Sequence, residues 1–258
     1  MDLGLKGKRV LVTGGTKSIG RAIVDAFVAE GAVVGFCARD AKLVKQREDE
    51  WRGKQARVHG SALDVTNDPA LKKWIDGFAA EGGIDHFVAN VSALGTEDTP
   101  EGWRKAIDID IVSTVESVRH AMPHLSKSGA NGTGGATCTI IGTVSLVEAS
   151  AGPVMPYRSV KAALVPFMKS LSIEMASKGV RVNMVSPGSI LDDGNTWGRL
   201  RDAGAERYKR TLARNPMGRM GTPQEVAACV AFLAGAPASF VSGINFIVDG
   251  AITTRVQY

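Results

Sequence analysis

Short apolar runs alternate along the chain with longer stretches in which apolar residues recur every three to four positions. The runs at 9–13, 32–38, 57–63, 84–90, 136–141, 180–185 and 244–248 predict β-strands. Several are apolar without interruption, as expected of strands covered on both faces. The stretches at 18–30, 41–52, 69–81, 100–125, 155–178 and 223–233 carry the helical period. Strand–helix alternation with long crossovers predicts an α/β fold: a single doubly wound parallel sheet of about seven strands, with helices on both faces. No internal repeat or domain-scale linker interrupts the pattern, so residues 1–258 are read as one domain. The stretch at 126–135 (SKSGANGTGG) reads as a loop, and residues 191–214, irregular and then helix-like, as a variable lid over a substrate.

Composition narrows the classes. The chain has 258 residues, 44% hydrophobic and 22% charged. It is long enough to bury a core without disulfides or metals, and too apolar for global disorder. Its three cysteines, Cys37, Cys138 and Cys229, are far apart and odd in number, which points to a reducing, cytoplasmic compartment. The start, MDLGLKGKRVLVTGG, enters a strand pattern at once and predicts no signal peptide. Apolar runs fall short of the ~20 residues of a membrane span. The net charge of +5 comes from scattered basic residues with acids nearby, which argues against nucleic acid as a partner. His120 and His124 are four apart with no third ligand near them in sequence, so no metal site is expected.

The candidate chemistry begins at the first strand–helix junction, Thr13-Gly14-Gly15-Thr16-Lys17-Ser18-Ile19-Gly20. Glycines there allow a tight turn and close backbone approach to a phosphate, and the helix N-terminus supplies free N–H groups. Gly14, Thr16, Lys17, Ser18, Ile19 and Gly20 are therefore candidate dinucleotide contacts. The second strand ends at Ala38 without the acid that holds an adenosine ribose diol. Arg39 follows, and Lys17 lies in the turn. Two cations at that place favour a 2′-phosphate and hence NADP(H), although both also read as plain surface cations.

Far downstream stands Tyr157-Arg158-Ser159-Val160-Lys161. A spacing of four puts Tyr157 and Lys161 on one helix face. A nearby ammonium, together with a positive nicotinamide ring, is expected to lower the tyrosine pKa from ~10, so that the phenol exchanges a proton with a carbonyl or alcohol oxygen.

The turn and the Tyr–Lys pair together resemble TGxxxGxG and YxxxK of the short-chain dehydrogenase/reductase family, from about Gly7 to Ala251. Ser18 stands where the family has its middle glycine. The resemblance implies that Asp64 and Val65 border the adenine, that Asn90 matches the second asparagine of an otherwise drifted motif, and that the basic pair marks NADP preference. It also implies a serine polarising the substrate oxygen. Ser145, twelve residues before Tyr157, is taken for that role with a loop one residue shorter than usual, and Thr143 is the fallback. An asparagine of the family falls at Asp110, seven residues after Trp103; in the family it holds a water beside the lysine. Asp110 would stabilise Lys161 as a cation and oppose phenolate. Pro187, Gly188 and Ile190 fit the turn beside the nicotinamide, with Asp192 where a threonine usually stands.

The expected activity is reduction of a small-molecule ketone, such as a 3-oxoacyl or cyclic substrate, by NADPH, in a homotetramer or homodimer. Two alternatives stand beside it: an NAD(P)-dependent alcohol or diol dehydrogenase, and a dinucleotide-binding regulatory protein weakened in catalysis by the changes at Ser18, Val91, Asp110 and Asp192.

Overall fold

The computed structural model describes residues 1–95, 97–130, 135–148 and 154–256. Seven parallel strands form one sheet: β1 (Arg9–Thr13), β2 (Val33–Ala38), β3 (Val58–Ala62), β4 (His86–Ala89), β5 (Ala136–Ile141), β6 (Val180–Pro187) and β7 (Asn245–Val248). Their order is β3-β2-β1-β4-β5-β6-β7. The chain winds outward from β1 to β3, returns to β4 on the other side of β1, and continues outward to β7. Ligands of such sheets bind outside the carboxyl ends of the strands where this reversal occurs, here between β1 and β4.

Side-chain alternation along each strand feeds two cores. Val10 and Val12 of β1 join one with Val34 and Phe36, while Leu11 points into the other with Cys37 and Phe87. The first core is closed by α1 (Ser18–Ala29), α2 (Ala41–Arg52) and α10 (Pro223–Ala234). The second is closed by α3 (Asp68–Ala80), α5 (Ser113–Gly129) and α7 (Leu164–Ala176). Phe27, Phe36 and Phe87 are wholly buried, each worth ~1.5–3 kcal/mol in transfer from water. Buried Arg181 on β6 donates to the carbonyls of Leu233, Ala234 and Gly235, closing the end of α10. Short helices complete the chain: α4 (Pro100–Ala106), α6 (Pro156–Ala162), α8 (Thr196–Asp202) and α9 (Glu206–Ala213).

Three sequence expectations need correction. The stretch at 100–125 is not one helix, because a π-helical segment, Ile107–Val112, stands between α4 and α5. The stretch at 126–135 is not loop throughout: α5 runs on to Gly129 with Ser126 Oγ bonded to Met122 O, and residues 131–134 lie outside the described part. The stretch at 155–178 divides at Ala163 into α6 and α7. His120 and His124 bond the carboxylates of Asp68 and Asp76, so they join α5 to α3.

Polar burial in the sheet has a measurable consequence. His86 is 2% exposed, stacked on Phe27 and hydrogen-bonded through Nδ1 to Thr137. Burial, with Lys8 and Arg181 adding to it, holds its pKa down at about 3 against 6.5 for a free imidazole. Between those values the unfolded chain binds the proton and the folded chain does not, so stability rises with pH across that window. Urea unfolding should show stability falling as pH drops from 6.5 towards 3, with this group contributing on the order of a few kcal/mol. His86→Gln should make that slope shallower; an unchanged slope would show that the imidazole is not held neutral.

Candidate active site

The glycine turn sits at the carboxyl end of β1. Gly14 and Gly15 donate their N–H groups to Cys37 O of β2, and Gly14 has φ +73°. A Cβ on Gly20 would lie 1.9 Å from Gly14 O, so only glycine lets α1 begin this close to the strand end. Ser18 has φ +46°, the left-handed region where glycine is free of strain. A serine there costs ~1–2 kcal/mol, which the surrounding structure bears. Asn90 donates through Nδ2 to Thr13 O and Gly14 O, and its own N–H meets Thr13 Oγ1. It therefore braces the turn from β4.

The start of α1 differs from that of its neighbours. Asp40, Asn67, Thr99 and Thr222 cap α2, α3, α4 and α10 with side-chain oxygens. Lys17 at the start of α1 gives no side-chain cap, and the first turn holds no acid. Free N–H groups and a positive helix end thus face the strand ends, which fits a pyrophosphate. A dinucleotide fits this cradle on the chain's own geometry.

At the adenosine end, Asp40 is committed to Leu43 N–H and Arg39 is exposed beside Asp64. Hydrogen bonds from Thr66, helped by Arg39, hold Asp64 below the usual carboxylate range. Val65 is buried. One cation escaped the sequence reading. Arg47, on α2, donates to Thr16 O while paired with Glu50, and so underpins the turn. Its signal was only a helical position across from the glycines.

The acid–base groups converge beyond β5. Pro156 opens α6, where its fixed φ suits the first helical position. Tyr157 and Lys161 project from one side, as the spacing required. The hydroxyl that bears on the Tyr157 phenol, favouring its charged form, is that of Thr143, which is 8% exposed. Ser145 lies in the following short turn, partly exposed, and its N–H is bonded to Thr143 Oγ1. Thr143 stands fourteen residues before Tyr157. Thr143 and Ser145, fourteen and twelve residues before Tyr157, thus fall one residue to either side of the family spacing. Residues 149–153 of that loop lie outside the described part.

Lys161 is 2% exposed; its Nζ donates to Ile141 O at 2.7 Å and lies 3.6 Å from Asp110 Oδ1. Asp110, on the π-helical segment, has no exposure. Its Oδ2 accepts from Ala93 N–H at 3.2 Å. Burial pushes the Asp110 carboxyl up and the Lys161 ammonium down, and each partner's charge opposes the other's shift. Within the chain alone, burial pushes the Tyr157 phenol up to about 12, and Asp110 adds to that effect against Thr143 and Arg158. The Lys161 ammonium lies 6.0 Å from the phenol ring centre and 3.6 Å from Asp110.

The remaining wall comes from β6 and the chain end. Pro187 ends the strand, and Gly188 packs so closely on Asp249 that a Cβ would sit 2.7 Å from the aspartate's own. Ile190 bridges to Gly221. Asp192 is half-buried where α8 begins, and Asn195 caps that helix. Of the basic residues at 191–214, Arg201 pairs with Asp193 and Asp202, Lys209 with Glu206, and Arg207 covers Trp197. The C-terminal stretch returns to the site: Thr254 N–H donates to Glu148. Nothing in the sequence signalled this contact.

Comparison with known proteins agrees with this geometry. Residues 14–253 match a family model described as enoyl-(acyl carrier protein) reductase. The chain is 36% identical to isoepoxydon dehydrogenase of Penicillium expansum, covering 100% of this chain and 99% of that one. A short-chain dehydrogenase from Burkholderia cenocepacia in complex with NADP superposes with a TM-score of 0.85 at 26% identity, covering 96% of this chain and 98% of that one. A 7α-hydroxysteroid dehydrogenase complexed with NADH and 7-oxo glycochenodeoxycholic acid gives 0.86 at 25%, covering 97% and 96%. With a seven-stranded sheet in this order, the glycine turn and the Tyr157–Lys161 pair in place, the chain belongs to the short-chain dehydrogenase/reductase family, as an NAD(P)-dependent oxidoreductase of carbonyl or alcohol groups.

Proposed function

We propose that the protein is an NADPH-dependent reductase of a small-molecule ketone, with Tyr157 as proton donor. The observation that carries this reading is the phenol itself, set beside Thr143 and one helical turn from buried Lys161, and protonated at neutral pH. A bound nicotinamide supplies hydride chemistry. The chain's residues do the rest: Thr143 orients the substrate oxygen, Tyr157 gives it a proton as negative charge develops, and Lys161 holds the ribose side of the site. Gly14, Thr16, Ser18, Ile19 and Gly20 receive the pyrophosphate; Asp64, Val65, Pro187, Gly188 and Ile190 border the adenine and nicotinamide ends; residues 191–214 close over the substrate. Asn90 acts through the turn it braces. Ser145 serves by fixing Thr143 through its backbone.

Lys17 and Arg39 support NADP over NAD, since no acid is left free at the end of β2 to take a ribose diol. The oxidative reading draws on the relative named as a dehydrogenase, but it needs the phenolate, which this site disfavours. The regulatory reading loses its support: Ser18 is accommodated and Asp110 is inside the acid–base cluster rather than turned away. Self-association through α5 and α7 draws on a groove between them in which Met122, Pro123 and Phe167 alternate with Arg119, Glu174 and Lys178. Buried free thiols at Cys37 and Cys138 suit the cytoplasm. Among the described residues, no helix is long and apolar enough to cross a membrane.

Tyr157→Phe should reduce kcat by ~10²–10⁴-fold while NADPH still binds by fluorescence titration; near-normal turnover would refute the assignment. Thr143→Val should lower kcat ~100-fold and Ser145→Ala by less than about threefold, which separates the two hydroxyls. Arg39→Ala should cost ~10-fold or more in kcat/KM for NADPH and little for NADH. The difference should shrink in high salt, because the cation is exposed.

A further inference from the structure

The electrostatics around Lys161 carry one step more, which rests on the reading of Tyr157 as the acid–base group. A lone ammonium near a phenol favours phenolate. Here that ammonium shares its pocket with a carboxylate of no exposure, Asp110, whose Oδ1 lies 3.6 Å from Nζ. Oδ1 has no hydrogen-bond partner among the described residues, so the ammonium is the charge it answers to. The other oxygen is fixed by Ala93 N–H, and the Ser92 hydroxyl favours the charged form. The π-helical segment that carries Asp110 packs against α6.

We propose that Asp110 is a positioning residue that neutralises Lys161 inside the site, keeping Tyr157 as a neutral phenol and committing the acid–base chemistry at neutral pH to proton delivery. Asparagine at this place, as the family resemblance implies, would leave the pocket with a net positive charge; aspartate leaves it with none. The substitution does not alter the equilibrium between ketone and alcohol, which no enzyme can do. It sets which direction finds its acid–base group already in the working form. Reduction needs the phenol. Oxidation needs the phenolate, so its rate should climb far into the alkaline range.

Other charges do not compete. Around Tyr157, Arg158 on the same helix favours phenolate and is half-buried. On the elements packed against α6 and the π-helical segment, Glu101, Arg104 and Lys105 of α4, Asp108, and Lys169 and Glu174 of α7 are exposed. Glu116 of α5 is half-buried, and Glu148 beyond the Val144–Leu146 turn is bonded to Thr254. Screening by water leaves Asp110 as the dominant local charge beside Lys161.

Two measurements test this. The first follows kcat/KM for alcohol oxidation against pH. Asp110→Asn, nearly isosteric, and the smaller Asp110→Ser should both move the rising limb about one unit or more towards neutrality. At neutral pH the ratio of oxidation to reduction rates should rise about tenfold. An unmoved limb in a folded variant overturns the proposal. The second uses no cofactor or substrate. The chain has only three tyrosines, so phenolate absorbance near pH 10–11 of wild type minus Tyr157→Phe reports Tyr157. The wild-type difference should be small there, and large once Asp110 is neutral. A wild-type Tyr157 that ionises below pH 10 overturns the proposal even if every Asp110 variant misfolds. Failure here is distinct from failure of the assigned chemistry: in the first case Tyr157→Phe is inactive and the profile does not move, whereas in the second Tyr157→Phe stays active.

Discussion

Lys161 is a primary ammonium placed almost wholly out of water, and the site is arranged around that fact. Desolvation of an unpaired ammonium costs several kcal/mol. One donor meets Ile141 O at the end of β5, and the charge meets Asp110 from the π-helical segment. These two contacts fix where α6 can lie, and with it the phenol of Tyr157 against Thr143. The insertion in the helix after α4 thereby gains a purpose: it lies where Asp110 is presented inward with no exposure. Removing either charge alone would leave the other buried and uncompensated, so the pair is electrostatically interdependent.

The cofactor half follows a different logic, in which backbone replaces side chains. Parallel strands bring the ends of β1, β4, β5 and β6 to one edge of the sheet, so residues as far apart in sequence as Gly14 and Gly188 share a cleft. The phosphate turn is shaped by what is absent: no Cβ on Gly20, no cap and no acid at the start of α1. Asn90 and Arg47 hold that turn through its carbonyl oxygens, and Cys37 O takes the N–H groups of Gly14 and Gly15. Charges that read as generic in sequence take distinct tasks. Asp40 caps α2, while His120 and His124 fasten α5 to α3.

Most of the frame was legible in the chain itself. The sequence pattern located all seven strands to within two residues at either end; for β1, β2, β4, β5 and β6 this is because a strand buried on both faces has little choice of residue type, while β3 and β7 at the sheet edges are only partly covered. The glycine turn and the Tyr–Lys spacing were equally plain, since close backbone approach and helical periodicity are local rules. Three things were not local. The break at the π-helical segment follows from packing beside α6 and leaves no composition signal. The relation of Thr143 and Ser145 to the phenol depends on how the chain between β5 and α6 folds back, which counting residues does not reveal. The sequence named Lys161 and Asp110 as opposing influences on Tyr157, but only three dimensions put the carboxylate 3.6 Å from the ammonium with both out of water. Sequence thus determined the elements, their order and the reactive residue types, because these depend on side-chain period and backbone sterics. Tertiary structure decided that Asp110 meets Lys161 out of water beside the phenol, because that depends on distances of a few ångströms between residues far apart in sequence.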